Sequence, residues 1–470
     1  MTRSPLYLCT VLIAAALIFS LSAGTRNTGS VSAAPAGNGD YVLTAGQWTA
    51  QQDVAVQQAG GTVIYKHGKA GFATVTSDNP NFLNQVMATG VISSGAADEV
   101  VQWQQPGNEV MLDEQAVTPG NDGFINAQWN IKAIDAAGAW NAGYDGTGVR
   151  VAVLDGGIRN THIDLVGRVD NAASVSFVPG QAFNQDVGTF WHGTHVAGII
   201  AANDNTAGTI GVAPGATIVG VKVLHNGTGS FGAIIAGILY ASTPIAEGGG
   251  GADIINMSLG ATFAKGGGPG TGQLISAVNK AVNYAGSNGV LVISAAGNNA
   301  LDLDHSGSVT TVPATSGSGL AVSATGPEGY AVGYPNGATN FRAFASYSNW
   351  GNSVVSVAGP GGDTRLPGTA VCSIPVVPAG FITTQCWVLD MVLSTCRGAG
   401  ASNSTYCFAS GTSMAAPAAA GVAALIKQKH PGISVGALKA KLMQSADDEG
   451  KKGNDPFYGK GFINAAKAVQ

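Results

Sequence analysis

The chain of 470 residues is long enough for two or three domains, and with 45% hydrophobic residues it can fill a sizeable core. Only 10% of its residues are charged and the formal net charge is -5, which argues against a nucleic-acid partner. Its 69 glycines carry no collagen period and are separated by strongly apolar segments, so they point to tight turns and close backbone contacts rather than to disorder.

Arg3 precedes an apolar run over residues 6–21 that ends in Ser22-Ala23-Gly24, the tripartite form of a secretory signal over residues 1–23. Read as an uncleaved anchor, its roughly 16 apolar residues fall short of the about 20 that a spanning helix needs. Export is the expectation, with no membrane attachment after signal cleavage. Of the five cysteines, Cys9 would leave with the signal, while Cys372, Cys386, Cys396 and Cys407 stay together near the C-terminus. An even number in an exported chain suggests two disulfides, with three connectivities open.

After a Gly/Ala/Ser linker, residues 41–44 read as a strand, 49–59 as a helix and 62–65 as a second strand. The pattern then repeats. Residues 71–75 alternate like a strand, 80–89 carry Phe82, Leu83, Val86 and Met87 at helical spacing, and 100–103 are extended. This is a β-α-β-β-α-β unit, a small ferredoxin-like α+β sandwich that can fold alone and has no catalytic cluster of its own. Residues 106–122, polar and turn-rich, read as a linker.

From residue 128 the character changes. Strand-like runs at 150–154, 217–223, 254–258 and 289–295 alternate with helical stretches at 193–202, 233–242 and 273–285. Strands apolar throughout and separated by helices imply an α/β architecture, a doubly wound and mainly parallel sheet covered on both faces. In that architecture sites gather at the carboxyl ends of strands. Asp155-Gly156-Gly157, Asn256-Met257-Ser258-Leu259-Gly260 and Ala295-Ala296-Gly297-Asn298 all sit at such ends.

Asp155 closes an apolar strand, where a carboxylate is costly to bury unpaired. His192 opens an apolar helix and could meet both Asp155 and Ser413 above the sheet. Ser413 lies at the start of a further helix, apolar all round over residues 414–427, whose unpartnered first-turn N–H groups favour negative charge. That suits a transition state carrying an oxyanion. Taken alone, Thr412 and Ser413 could simply cap the helix. The pair His192 and His195 could also suggest a metal, but no third ligand stands at standard spacing.

Val151-Ala152-Val153-Leu154-Asp155, His192-Gly193-Thr194-His195-Val196-Ala197-Gly198 and Gly411-Thr412-Ser413-Met414-Ala415-Ala416-Pro417 closely resemble the three signatures of subtilisin-like serine proteases. The likeness extends to residues 256–260, 295–298 and Tyr458-Gly459-Lys460-Gly461-Phe462-Ile463-Asn464-Ala465, and so covers nearly all of 128–470. The chain order Asp, His, Ser is the family's known one and not an inference from spacing. The resemblance implies that Ser413 attacks the scissile carbonyl, that His192 takes and returns the proton, and that Asp155 orients the imidazole. Asn298 and the Ser413 N–H would bind the oxyanion.

By the same resemblance, substrate main chain adds as a strand between Asn226-Gly227-Thr228-Gly229 and Ser258-Leu259-Gly260. Gly260, Ala296 and Gly297 would wall a pocket for a large apolar side chain. Asp164 and Asn205, with backbone oxygens of Ala207 and Thr209, match a calcium site that the family often carries. Glycine at 156 departs from the family's usual Ser or Thr and removes a hydroxyl beside the aspartate, while Ala418 and Ala419 replace a common His-Val. Residues 361–408, longer than in a minimal member and holding all four mature cysteines, are expected to form a disulfide-stapled loop near the nucleophile.

The N-terminal unit, residues 24–110 with a boundary open between 103 and 122, resembles the family's inhibitory propeptide, and a permanent binding module is the competing reading. The resemblance thus implies a secreted, monomeric endopeptidase over 123–470 that acts on proteins and peptides and is made as a self-processed zymogen. A pseudoenzyme scaffold would usually have lost one of Asp155, His192, Asn298 and Ser413. An esterase would place its histidine last.

Overall fold

The computed structural model describes residues 34–35, 39–104, 109–112, 123–206, 208–265, 267–268, 270–337, 340–365, 368–399 and 404–470. The expected leader lies outside the described residues, as does most of the expected linker.

The N-terminal unit is a four-stranded antiparallel sheet in the order Thr62–His67, Phe72–Thr76, Asp40–Thr44, Ser94–Ala97, with helices Ala50–Gln58 and Phe82–Ala88. Thr49 starts the first helix with a capping box, its hydroxyl taking the Gln51 N–H while Gln52 reaches back to the Thr49 N–H. Leu43, Val56, Val75, Phe82 and Val86 form a core of the unit's own. The fourth strand differs from the expected one. Ser94-Gly95-Ala96-Ala97 lacks β-branched residues and so carries little strand signal. Gly95 suits the place because a Cβ there would lie 2.7 Å from Leu43 and 2.9 Å from Leu83. The stronger stretch, Glu99–Gln102, is a strand that pairs with Ala34–Pro35 on one side and, in the second domain, with Thr228–Ser230 on the other.

In that domain the strands Val175–Ser176, Thr217–Lys222, Arg150–Asp155, Ile254–Met257, Leu291–Ala295 and Leu320–Gly326 lie side by side and parallel. Val355–Pro360 adds in parallel and Ala343–Phe344 antiparallel at the far side. Successive strand residues serve two cores. Val151, Val153, Leu291 and Ile293 share one with the helices His192–Ala201 and Thr412–Lys429. Ala152, Leu154 and Val292 share the other with Phe231–Ala241 and Thr271–Ser287. Both faces are therefore covered, as unbroken apolar strands require. Strand order reverses around Arg150–Asp155, flanked by Thr217–Lys222 on one side and Ile254–Met257 on the other. A crevice opens beyond the carboxyl ends at such a switch point.

The disulfides are Cys372–Cys386 and Cys396–Cys407. The second ties the hairpin Val392–Cys396/Thr405–Ala409 that runs directly into Ser410. The first staples the hairpin Val371–Pro375/Phe381–Gln385, which hydrogen-bonds to Gly123 and Asn126 at the domain's start. Only one of the two bridges thus lies in the segment leading to Ser413. Part of the expected linker is also ordered, since Glu109–Met111 joins Thr405–Ala409 as a third antiparallel strand. Among the described residues no helix is long and apolar enough to cross a membrane.

Candidate active site

Asp155 ends its strand completely buried. Its Oδ1 accepts the Gly156 N–H at 2.7 Å, and both carboxylate oxygens receive His192 Nδ1, at 3.0 and 2.9 Å. His192 is the first residue of its helix, turned in by Trp191 at φ 51°. Burial pushes the imidazole pKa down, but the Asp155 charge and hydrogen bond, helped by Glu109 and Asp186, outweigh it and the net shift is upward. The pair can thus hold a proton on Nδ1 and leave Nε2 for acid–base work. His195, one turn on, bonds the Cys407 carbonyl instead and is driven by burial to about 3, so it stays neutral. Among the described residues no group of three or more Asp, Glu, His and Cys side chains is placed to hold a metal ion.

Ser413 is the second residue of its helix, behind Gly411 as N-cap, so neither it nor Thr412 serves as the cap. Its hydroxyl donates to the Ser258 carbonyl at 3.3 Å rather than to His192, while the Ser258 hydroxyl donates to the Ser413 carbonyl at 2.8 Å. The histidine and serine helices pack against one another in one core. Asn298 Oδ1 accepts both the Thr412 N–H (2.9 Å) and its hydroxyl (2.7 Å), which fixes the amide and turns Nδ2 toward Gly411. Thr412 Oγ1 in turn receives the Gly297 N–H.

The chain's own residues 99–104 run through the cleft. Val100, Val101 and Gln102 pair antiparallel with Ser230, Gly229 and Thr228. Beyond them the Gly227 carbonyl accepts the N–H groups of Trp103 and Gln104, and Gly260 N–H donates to the Trp103 carbonyl at 2.8 Å. Trp103, 1% exposed, lies against Phe231 and Phe263 with its indole N–H on the Gly229 carbonyl. Gly227 adopts φ 74°, and a Cβ there would meet Gln102 at 2.4 Å. A cavity of about 430 Å³ follows, lined by Gln104, Glu109, Asp186, Trp191, His192 and Gly227 among others. Leu259 and Ala296 are buried and, with Gly260 and Gly297, do not line it.

At the expected cation site, Asp164 Oδ2 takes the Thr209 N–H and hydroxyl, and Asn205 donates to the Ile163 carbonyl. Ala207 lies outside the described residues. Burial raises the Asp164 pKa to about 7, against the hydrogen bonds that Thr209, Tyr406 and Asn205 give its carboxylate. A hard cation with oxygen ligands fits such an acceptor.

Two residues at the site carried no signal in the sequence. Asp186 is a single acid in a turn six positions before His192, yet its carboxylate abuts Gly156. Asn349 receives the N–H groups of Asn299 and Leu301 and donates to the Ala296 carbonyl, bracing the loop that carries Asn298. Only a three-dimensional reading brings either one to the site.

Residues 146–461 match the Subtilase family. Subtilisin DY of Bacillus licheniformis is 33% identical over 345 residues, 73% of this chain and 98% of that protein. Subtilisin Savinase of Lederbergia lenta is 35% identical over 343 residues, again 73% and 98%. Among solved structures, a protease of Pseudoalteromonas arctica superposes with a TM-score of 0.56 at 29% identity, over 75% of this chain and 99% of that one. Fervidolysin of Fervidobacterium pennivorans, at 23% identity and a TM-score of 0.63 over 92% and 61%, shares the fold. The chain belongs to the subtilase family. It is a serine-type endopeptidase, a hydrolase that acts on protein substrates.

Proposed function

We propose that the chain is exported as a zymogen whose residues 24–110 fold, occupy and inhibit the site, and are removed by the enzyme's own Asp155-His192-Ser413 triad. The observation that carries this reading is the course of residues 99–104, laid as a strand on Thr228–Ser230, bonded at Trp103 by Gly227 and Gly260 and ending beside the His192 cavity. Product-like occupation of a substrate edge is what an intramolecular inhibitor requires. The scissile bond falls between Gln104 and Glu109, which flank the cavity.

In the reaction Ser413 rotates from the Ser258 carbonyl to His192 Nε2, gives up its proton there and attacks the carbonyl carbon. Asp155 stabilises the imidazolium, and Asn298 Nδ2 with the Ser413 N–H receives the oxyanion. The imidazolium then protonates the leaving amine, and water repeats the sequence to release the acyl group. Gly227, Gly229, Ser258, Leu259 and Gly260 hold substrate main chain. Gly260, Ala296 and Gly297 receive a large apolar side chain, and the mature enzyme works as an extracellular monomer.

A fluorophosphonate tests the chemistry. It is expected to label the peptide containing Ser413 and to abolish casein hydrolysis in step with labelling. Labelling of another serine, or hydrolysis that survives full labelling, refutes the assignment.

Asp164 and Asn205, with backbone oxygens of Ala207 and Thr209, would hold calcium in this reading, and the bound ion would balance the charge of a buried carboxylate. Calcium is expected to raise the melting temperature of the wild type and not of Asp164→Asn. An equal response in both removes the site.

A further inference from the structure

Glycine at 156 leaves no hydroxyl beside Asp155, and the structure supplies a physical reason for that residue. A Cβ on Gly156 would lie 2.1 Å from Asp186 Oδ2, so no side chain fits there while Asp186 keeps its place. The Asp186 side chain is 7% exposed. Its Oδ2 accepts the Gly157 N–H at 3.1 Å, and its Oδ1 accepts those of Val187 and, at 3.2 Å, Asn226. One carboxylate therefore joins the turn after Asp155 to the start of the loop that binds residues 103–104.

Below it lies Lys222, wholly buried, whose Nζ donates to the Leu224 carbonyl and stands 3.8 Å from Asp186 Oδ1. A buried ammonium needs a counter-charge. Asp155 and Asp186 are the two carboxylates that act on it. With Asp186 present, Lys222 has a partner of its own, and the oxygens of Asp155 remain with Gly156 N–H and His192. We propose that Asp186 is a positioning residue for the Asp155–His192 pair, replacing the missing hydroxyl at 156 by fixing the Gly156-Gly157 turn and drawing Lys222 away from Asp155. The proposal rests on the triad reading given above.

The charged groups facing His192 are Asp155, Asp186 and, before processing, Glu109, while Asp186 itself is faced by Lys222 and His225. Asp186→Asn keeps the shape, removes one negative charge near His192 and leaves Lys222 to Asp155 alone. In matured enzyme normalised by fluorophosphonate titration, kcat is expected to fall by about tenfold, a part of the 10²–10⁴ that acid–base catalysis supplies. KM should change little, and the acid limb of kcat/KM should move to lower pH. Gly156→Ser alone should be strongly impaired by collision with Asp186, whereas Gly156→Ser combined with Asp186→Ala should regain activity over Asp186→Ala.

Unchanged kcat and acid limb in Asp186→Asn overturn the proposal. So does a fall in kcat without movement of the limb and without rescue, which would mark Asp186 as structural only. If Asp186→Asn yields no titratable serine, the double variant decides, recovery supporting the proposal and continued loss overturning it. Failure of wild-type Ser413 to label would instead sink the triad reading.

Discussion

Asp155 is fully buried, and the Gly156 N–H and the His192 imidazole both hydrogen-bond its carboxylate. That arrangement also sets the working state of His192. Its pKa is held above the ordinary imidazole value of about 6.5, so the base is lost as pH falls through that raised value and activity falls with it. Asn298 is fixed by two donors from Thr412 and presents its amide nitrogen on the Gly411 side. Asn298→Ala should lower turnover by about 10²–10³, a figure carried over from the subtilisin asparagine, with substrate affinity nearly kept. Steady-state kinetics on peptide substrate checks this, and a normal kcat would remove Asn298 from the mechanism. The motif residues could be found in sequence because each ends a strand or opens a helix. Asp186 and Asn349 could not, since the partners that bring them to the site, Gly157 and Asn226 for the one and Ala296, Asn299 and Leu301 for the other, are backbone groups far away in the chain, which impose no pattern on neighbouring side chains.

The element on which the zymogen proposal rests is the strand Glu99–Gln102. Its apolar Val100-Val101 reads as a strand from sequence alone, but its partner could not be read, and it was expected in the N-terminal sheet. Sequence resolves helices and unbroken core strands to within a few residues. It fails at Ser94–Ala97, whose small residues are dictated by packing against Leu43 and Leu83, and at Glu109–Met111, a short edge strand in a polar stretch.

The contact around this strand is tuned by two groups with opposite signs. Asp98 accepts the Gly232 N–H at the start of Phe231–Ala241, and burial raises its pKa from 3.8 to about 6. Association favours its protonated form, so the proposed inhibition is expected to tighten as pH falls through about 6 and to gain at most roughly 100-fold by the ordinary carboxylate range. His67 bonds Thr243, and burial, with Lys69 nearby, lowers its pKa. Association therefore favours its neutral form, and inhibition weakens as pH falls below the imidazole range. In assays of the N-terminal unit added to mature enzyme between pH 4 and 8, Asp98→Asn should leave only the weakening on acidification and His67→Gln only the tightening. Parallel profiles for both variants and wild type would contradict this assignment.

At the scale of the molecule, the core on one face of the sheet holds the histidine and serine helices against the strand that ends in Asp155, and a second core covers the other face. The doubly wound class was legible because strands buried on both faces cannot alternate polar and apolar residues. The bridging pattern was not, because spacing leaves three pairings open until the hairpins are known. The zymogen proposal makes the precursor its own first substrate, with residues 100–102 and 109–111 seated as strands and Gln104 and Glu109 lining the His192 cavity. Expression of the chain from Gly24 onward, wild type beside Ser413→Ala, followed by intact mass and N-terminal sequencing, tests this most directly. The account predicts that the wild type shortens to a new N-terminus within residues 105–109 and that Ser413→Ala keeps its full length. Equal cleavage of both chains, or of neither in a preparation where wild type digests casein, would contradict it.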